Sequence, residues 1–265
     1  MTAVNSVFRD RFGPWAVVTG ASSGIGREVA RLLAGRGLDI VLVARRGTAL
    51  RELAAEIRSA HGTTTIVVES DLETDRGIHV LESATAELDV GLVVAAAGFG
   101  TSGPFLAANL DEELPMVMVN CLASLQQAHH FGRRMATRGR GAIVLISSIV
   151  AWQGVPMAAH YAATKAHPQA LAEGIVDELG SHGVDVLVAA PGPVHIGFAP
   201  RAGMKLGRAM EPADVAAAIV RSIGRRGTIA PGWLSAVLSR SLGLLPRSVR
   251  TRMMGRMMRG MTGGA

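Results

Sequence analysis

Tyr161 and Lys165 form the pattern in this sequence that most clearly indicates chemistry. Tyr161 is the only tyrosine of the chain, and Lys165 is one of two lysines among 27 basic residues. A spacing of four residues on a predicted helix puts both side chains on one face. A free phenol has a pKa of about 10 and is a poor acid–base catalyst near neutral pH, but a neighbouring ammonium lowers that pKa by stabilising the phenolate. The pair therefore predicts a general acid–base site.

Ser148 lies 13 residues before Tyr161, directly after a predicted buried strand. A hydroxyl at that strand end is placed to hydrogen-bond a substrate oxygen and to stabilise the charge that develops on it. The alternative is a serine that caps a helix or belongs to a loop. Asn120, interpreted from the residues alone, is a buried polar residue of a helix.

The segment 19–26 reads Thr-Gly-Ala-Ser-Ser-Gly-Ile-Gly and lies between a predicted strand and a predicted helix. Gly20 permits a tight turn, Gly24 lets the backbone approach a phosphate, and Gly26 lets the helix pack closely. The free N–H groups at the start of the helix would bind a pyrophosphate. A plain strand–helix turn is the alternative, but a position in the first βαβ unit favours a dinucleotide site.

Arg45 and Arg46 follow the second predicted strand, where a dinucleotide-binding fold places the adenosine ribose. An NAD site usually has a carboxylate there, whereas a guanidinium suits the 2′-phosphate of NADP. No acidic residue occurs between Asp39 and Glu52. The pair therefore predicts NADP(H), and two solvated arginines in an arginine-rich chain are the alternative.

An alternation of buried strands and helices is needed to position these residues. Short runs rich in Val, Ile, Leu and Ala predict strands at Trp15–Thr19, Asp39–Ala44, Thr63–Glu69, Val90–Ala95, Ala142–Ser147 and Val184–Ala189. Helical spacing of apolar residues predicts helices that include Gly26–Arg36, Thr48–His61 and Glu112–Arg138. The alternation predicts a single α/β domain over residues 1–265, with a doubly wound parallel sheet (a Rossmann fold) and helices on both faces.

The glycine spacing, the pentapeptide Tyr161-Ala-Ala-Thr-Lys165 and the preceding serine together resemble the short-chain dehydrogenase/reductase family, over residues 19–192. The resemblance implies an NAD(P)-dependent oxidoreductase that moves hydride between the nucleotide and a carbonyl or alcohol. It implies a catalytic set of Tyr161 as general acid/base, Lys165, Ser148 and Asn120, with Asn120 holding a water that links the lysine to solvent. The cofactor contacts predicted in this way are Gly20, Ser22, Ser23, Gly24, Ile25, Gly26, Arg45, Arg46, Asp71, Leu72, Ala97, Gly98, Tyr161, Lys165, Pro191, Gly192 and Val194.

Three segments depart from the family pattern. Residues 95–98 read Ala-Ala-Ala-Gly where the family usually has Asn-Asn-Ala-Gly, which removes two amides that support the sheet edge. Ile196 replaces the usual threonine on the nicotinamide side. These departures keep a second hypothesis open, a non-catalytic NADP-binding protein that regulates a partner. Pro168 predicts a kink in a helix that forms a dimer interface in many relatives, so we expect a homo-oligomer, either a dimer or a tetramer.

The net charge of +6 is unevenly distributed, because residues 215–265 contain nine arginines and no acidic residue. In the basic C-terminal extension, residues 231–265, apolar and basic side chains repeat on opposite helix faces: Val249, Met253, Met257 and Met261 against Arg252, Arg256 and Arg259. Two interpretations are open. The extension makes a peripheral contact with anionic lipid, or it is a helix that covers a lid or a partner subunit while its arginines are solvated.

The remaining sequence patterns limit the classes of substrate and partner that we expect. Residues 193–210 mix apolar and basic side chains and predict a lid over a hydrophobic substrate, such as a ketone, a steroid-like or a ketoacyl compound. Scarce aromatic residues argue against nucleic acid, and the eight histidines show no metal-ligand spacing, so we expect no metal. A single cysteine, Cys121, and the lack of a signal segment or a run of 18 apolar residues predict a cytoplasmic protein.

Overall fold

The computed structural model describes residues 3–195, 209–233, 235–237 and 245–261. Most of the predicted lid, together with Ile196, therefore lies outside the described residues. The strands of the described chain are β1 Trp15–Thr19, β2 Asp39–Ala44, β3 Thr65–Glu69, β4 Val90–Ala95, β5 Gly141–Ile146, β6 Val184–Ala189 and β7 Gly227–Ile229. Its α-helices are α1 Ala3–Phe12, α2 Gly24–Gly35, α3 Gly47–His61, α4 Asp75–Ala84, α5 Leu110–Val117, α6 Ala123–Arg138, α7 Ala159–Gly180, α8 Pro212–Ser222 and α9 Arg247–Met261.

The strands form one parallel sheet in the order β3-β2-β1-β4-β5-β6-β7. Successive residues of a strand point to opposite faces, so a continuous apolar strand needs helices on both sides. On β1, Ala16 and Val18 pack in the apolar layer that contains Leu33 of α2. Val17 packs in the opposite layer, which contains Phe131 of α6. The predicted fold class, a doubly wound parallel sheet with helices on both faces, is confirmed.

The order of the strands reverses between β1 and β4, which pair at their ends through Thr19 and Ala95. The chain builds β2 and β3 on one side of β1 and then crosses to β4 on the other. At such a switch point the loops after adjacent strands diverge and leave a crevice at the carboxyl ends of the strands. The glycine loop after β1 and the segment 95–98 after β4 therefore form its two sides.

The predicted strands agree with the sheet, with shifts of one or two residues at the ends of β3 and β5. The short edge strand β7 and the N-terminal helix α1 were not predicted. The predicted helix Glu112–Arg138 consists of α5 and α6 joined by a π-helical turn, Met118–Leu122. Within the described ranges, no helix combines the length and the apolarity that crossing a bilayer requires.

Candidate active site

A cleft of about 620 Å³ opens at the carboxyl ends of the central strands. Every predicted site residue lines this cleft except Asn120, which lies behind Gly98. The predicted residues that it brings together are Gly20, Ser22, Ser23, Gly24, Ile25, Gly26, Arg45, Arg46, Asp71, Leu72, Ala97, Gly98, Ser148, Tyr161, Lys165, Pro191, Gly192 and Val194. The cleft also contains side chains that the sequence did not indicate, above all Glu73 and the methionines of α9.

The glycine loop closes tightly against the segment after β4. Gly20 has a φ of +68°, and a Cβ at this position would lie 2.8 Å from the carbonyl oxygen of Ala96, so a side chain would clash with the backbone. At Gly26 a Cβ would lie 2.6 Å from the carbonyl oxygen of Gly20. The N-cap residue of α2, Ser23, makes no side-chain capping hydrogen bond. The first N–H groups of α2 therefore have no side-chain cap, an arrangement that suits a phosphate.

The two predicted arginines have different partners. Arg46 donates from Nη2 to Ser23 Oγ at 2.7 Å and to Ser22 Oγ at 3.1 Å, which groups its guanidinium with both hydroxyls of the glycine loop. Arg45 forms an ion pair with Glu73, with 2.6 Å between Nη1 and Oε1. The sequence alone does not separate the two arginines, because Glu73 reaches Arg45 only through the pairing of β2 with β3.

Tyr161 and Ser148 are joined in the cleft by a hydrogen bond between their side chains. Ser147, by contrast, donates to the carbonyl oxygen of Lys165 at 2.8 Å, so Ser148 is the serine that faces the phenol. Burial raises the pKa of Tyr161 to about 12, while the hydrogen bond with Ser148 acts in the opposite direction. The expected lowering of the Tyr161 pKa by Lys165 is not found: burial raises this pKa, and the influence that opposes burial is the hydrogen bond with Ser148.

Lys165 is buried, and its Nζ donates to the carbonyl oxygen of Ile146 at 3.1 Å. Burial lowers the pKa of Lys165 to about 8, because the charged form loses hydration. A Cβ on Gly98 would lie 3.1 Å from Lys165 Nζ and 2.7 Å from Asn120 Oδ1. The absence of a side chain at Gly98 therefore leaves room for both polar groups.

Asn120 lies in the π-helical turn between α5 and α6. Its amide donates to the Phe99 carbonyl at 2.8 Å and to Thr164 Oγ1 at 2.9 Å, and its Oδ1 accepts from the Phe99 N–H at 3.2 Å. These bonds tie the loop after β4 to the helix α7, which carries Tyr161 and Lys165. Single π turns inside helices are frequent at functional sites, but apolar spacing does not reveal them. The predicted role of Asn120 with a water stays a prediction.

The helix α7 continues through Pro168 to Gly180. Proline has no N–H to give to the carbonyl of Thr164, four residues earlier. The thiol of Cys121 donates to that carbonyl at 3.5 Å, so the π-helical turn supplies the missing partner. The kink at Pro168 stays a prediction.

A buried carboxylate beside the cleft was not predicted. Glu113 of α5 is 7% exposed, accepts a hydrogen bond from Thr101 Oγ1 at 2.5 Å, and lies 2.5 Å from Nδ1 of His160. Thr101 belongs to the loop after β4, and His160 is the neighbour of Tyr161. The three side chains therefore hold that loop against the start of α7. They lie far apart in the chain, so no sequence pattern connects them.

The helix α9 covers one side of the cleft of its own chain. Met254 and Met258 are buried in an apolar cluster with Ala158 and Tyr161, and together with Met257 they line the cleft. A Cβ on Gly255 would lie 2.9 Å from the side chain of Pro156, so the helix packs closely on the segment before α7. The buried stripe is shifted by one residue from the predicted one, because Met253 and Met257 are 45% and 44% exposed.

A comparison with family models decides the protein family of this chain. Residues 14–203 match the family model of the short chain dehydrogenases. The chain belongs to the short-chain dehydrogenase family. The resemblance predicted from the motifs is thereby confirmed. The protein is an NAD(P)-dependent oxidoreductase, as predicted.

Two curated relatives differ in their reported substrates. A 7β-hydroxysteroid dehydrogenase of Clostridium sardiniense is 32% identical over 232 residues, which cover 86% of this chain and 89% of that protein. A very-long-chain 3-oxoacyl-CoA reductase of Pyricularia oryzae is 36% identical over 179 residues, which cover 66% of this chain and 54% of that protein. The chain thus spans about half the length of this fungal relative.

Two solved structures have the same fold along nearly their whole length. A 7β-hydroxysteroid dehydrogenase superposes with a TM-score of 0.85 at 25% identity, over 93% of this chain and 98% of that chain. A short-chain dehydrogenase from Sphingobium yanoikuyae, solved in complex with NADPH, superposes with a TM-score of 0.81 at 29% identity, over 91% of this chain and 95% of that chain.

Proposed function

We propose that the protein is an NADPH-dependent reductase that interconverts a carbonyl and an alcohol on a hydrophobic substrate. One observation carries the proposal: Tyr161, hydrogen-bonded to Ser148, shares a cleft with Lys165 and the glycine loop. A proton donor, a polarising hydroxyl and a cation therefore lie beside a site of the kind that holds a dinucleotide phosphate.

The residues of the cleft fit a nicotinamide dinucleotide from one end to the other. The uncapped start of α2 would hold the pyrophosphate, and Asp71 and Leu72 line the end where adenine would lie. Pro191, Gly192 and Val194 line the opposite end, where nicotinamide would lie. The bound nucleotide would supply the hydride, which is the chemistry that no side chain of the cleft provides.

Tyr161 is the proton donor in this proposal. With a pKa of about 12 it is protonated at neutral pH, so its hydroxyl is ready to give a proton to the carbonyl oxygen. Ser148 polarises the same oxygen. Lys165, charged below its pKa of about 8, stabilises the phenolate and binds the nicotinamide ribose, and Asn120 with a water returns protons to it. Oxidation of an alcohol uses the same groups in reverse.

The preference for NADPH over NADH rests on Arg46. Its guanidinium and the hydroxyls of Ser22 and Ser23 place several donors together at the rim of the cleft. Such a group suits the 2′-phosphate, because charge-assisted hydrogen bonds to phosphate are among the strong ones. NADH has only a hydroxyl at this position and gains much less from the cation.

The hydrophobic substrate is supported by the wall that α9 contributes. Met254, Met257 and Met258 give that wall unbranched, polarisable side chains that adapt to an apolar ligand. The two curated relatives are named for a hydroxysteroid and a very-long-chain 3-oxoacyl thioester. A ketone, steroid-like or ketoacyl compound therefore fits the proposal.

Nucleotide titration tests the proposal first. Binding of NADPH and NADH is measured for the wild type and for Arg45→Ala/Arg46→Ala, and turnover is then followed with a panel of ketones and aldehydes for wild type and Tyr161→Phe. We expect wild type to prefer NADPH, the double variant to lose most of that preference, and Tyr161→Phe to bind NADPH without oxidising it. Tight NADPH binding without turnover of any substrate would favour the alternative, a non-catalytic regulatory protein.

Self-association is the second part of the proposal. The helix α5 and the turn before it present large exposed apolar side chains: Phe105, Leu106, Leu110, Leu114 and Val117. Several large exposed apolar side chains within one short segment favour an interface there. We expect a dimer or tetramer in sedimentation, and Leu114→Glu is expected to yield a smaller species with unchanged helix content. A wild-type monomer at micromolar concentration would refute this part.

Contact with an anionic membrane is the third part of the proposal. The cytoplasmic location of the protein stays a prediction. The exposed side of α9 carries Arg252, Arg256 and Arg259 next to the half-exposed Met253. Cations beside apolar side chains suit the headgroup layer of anionic lipid. Sedimentation with vesicles of phosphatidylglycerol should show binding that salt reverses, and no binding at low salt would exclude the contact.

A further inference from the structure

The cofactor cleft contains one carboxylate that the proposed chemistry does not use. Glu73 lies in the loop after β3 and lines the cleft together with Arg45 and Arg46. Its Oε1 is 2.6 Å from Nη1 of Arg45, and its backbone N–H donates to Asp71 Oδ1 at 3.1 Å. The carboxylate is therefore held at the same rim where a 2′-phosphate would lie.

The ion pair changes the charge that the two arginines present. Among the described residues, Arg46 has only the hydroxyls of Ser22 and Ser23 as partners, so no carboxylate of this part of the chain balances its positive charge. Arg45 has a carboxylate partner, so the charge of this pair is close to zero at a distance. A phosphate at the rim would be attracted by Arg46 but would meet a nearly neutral pair at Arg45.

The exposure of the pair argues that stability is not its main effect. The side chains of Arg45 and Glu73 are 51% and 23% exposed, and ion pairs with this access to water contribute little to folding. The same charges act on a ligand that binds beside them. An effect on nucleotide affinity is therefore the larger consequence of this geometry.

We propose that Glu73 limits the preference for NADPH by neutralising Arg45, so that Arg46 is the member of the arginine pair that provides uncompensated charge for the 2′-phosphate. This inference rests on the proposed use of NADPH and assigns different roles to the two arginines. Glu73 is thus a specificity-determining residue. Its removal should strengthen the binding of the phosphorylated nucleotide, which is the reverse of what loss of a contact usually does.

The test measures the Kd of NADPH and of NADH by fluorescence titration, at low and at high salt. Glu73→Gln keeps the shape of the side chain but removes its charge. We expect it to tighten NADPH about three- to tenfold, with the gain reduced by salt, as for one partly screened charge near a phosphate. NADH should change by less than about twofold, because its ribose hydroxyl carries no charge.

Glu69→Gln is a matched control. Glu69 ends β3, pairs with Arg51 at 3.7 Å, and does not line the cleft. It changes the net charge by the same amount in the same region, so it should leave both Kd values within about twofold, as expected for an exposed charge outside the site.

A double variant connects the effect to Arg45. If Glu73 neutralises Arg45, the Arg45→Ala/Glu73→Gln double variant should bind NADPH within about twofold of the wild type, because the neutral pair and its absence leave the same net charge at the rim. A double variant that binds NADPH markedly more weakly than the wild type would show that Arg45 itself attracts the phosphate, and would overturn the assigned roles of the two arginines. An unchanged NADPH Kd in Glu73→Gln, with a wild type that prefers NADPH, would overturn this inference alone. A wild type that prefers NADH, or binds neither nucleotide, would overturn the proposed function as well.

Discussion

Replacement of Lys165 by methionine should stabilise the protein while removing its activity. The side chain is 7% exposed, and burial lowers the pKa of Lys165 from its ordinary value of 10.5 to about 8. Below pH 8 the Lys165 side chain is therefore charged in the folded protein. Because that charge is less well hydrated there than in the unfolded chain, it lowers the free energy of unfolding. Methionine has a similar length but no charge, so Lys165→Met removes that penalty.

The magnitude follows from the size of the pKa difference. A shift from 10.5 to about 8, at about 1.4 kcal/mol per pKa unit, corresponds to roughly 3 kcal/mol of destabilisation at pH 7. The variant also loses the hydrogen bond to the Ile146 carbonyl, and this loss reduces the gain in the free energy of unfolding by about 1–2 kcal/mol. The net gain is about 1–2 kcal/mol, or a rise in Tm of about 2–8 °C for a chain of this size.

The dependence on pH gives the sharper test. Between pH 8 and 10.5 the unfolded chain binds more protons at this lysine than the folded protein, so wild-type stability should rise with pH in that window. Lys165→Met should lack this rise, and the difference between the two curves isolates the lysine from all other groups. Urea unfolding is measured without nucleotide, because a bound ligand adds its own stabilisation.

The activity of Lys165→Met should fall at least about a hundredfold, because the phenolate of Tyr161 loses its stabilising cation. The reasoning would be refuted if the variant were less stable than wild type at pH 7. It would also be refuted if both proteins showed the same stability curve between pH 8 and 10.5.

Two further substitutions test the packing of the site. Gly98→Ala should reduce kcat at least about tenfold and lower the free energy of unfolding by about 1–3 kcal/mol, because the new methyl group would lie 2.7 Å from Asn120 Oδ1 and 3.1 Å from Lys165 Nζ. Steady-state kinetics and thermal unfolding measure the two effects. Met258→Ala should lower the free energy of unfolding by about 2–3 kcal/mol and raise KM for bulky ketones, because it opens the apolar cluster under α9. Met253→Ala, at a half-exposed position of the same helix, is its control, and equal destabilisation by both would contradict the packing of α9.

The sequence predicts best the elements that recur along the chain, above all the parallel strands. Each strand of a parallel sheet covered on both faces is a short continuous apolar run, so β1 to β6 were found within one or two residues. The convergence of Tyr161, Lys165 and Ser148 also followed, because two share a helix face and the third ends a strand beside it. The fold class then places the glycine loop at the same edge of the sheet.

Contacts between distant segments were not predictable from local patterns. Glu113 meets Thr101 and His160 only after α5 has packed against the start of α7. The pairing of Arg45 with Glu73 likewise depends on the register of β2 and β3. Apolar spacing describes one element at a time, so it carries no information on such pairs.

The C-terminal helix shows a different limit of periodicity. Four of its five methionines occur in adjacent pairs, at 253–254 and 257–258, so apolar spacing does not decide which of two neighbouring stripes is buried. In the structure Met254 and Met258 are buried, and Gly255 approaches Pro156 so closely that a Cβ would lie 2.9 Å from the proline side chain. This close approach favours burial of the stripe of Met254 and Met258, and apolar spacing alone does not reveal it.

The buried charge of Lys165 supports a catalytic site independently of family resemblance. An apolar side chain at this position would fold with less penalty, because the chain spends roughly 3 kcal/mol to keep an ammonium there at pH 7. A perturbed lysine of this kind, placed in a cleft beside a phenol that burial keeps protonated, is typical of functional sites rather than of structural ones. Stability is lost where activity needs a charge, and the position of that loss indicates the reacting centre.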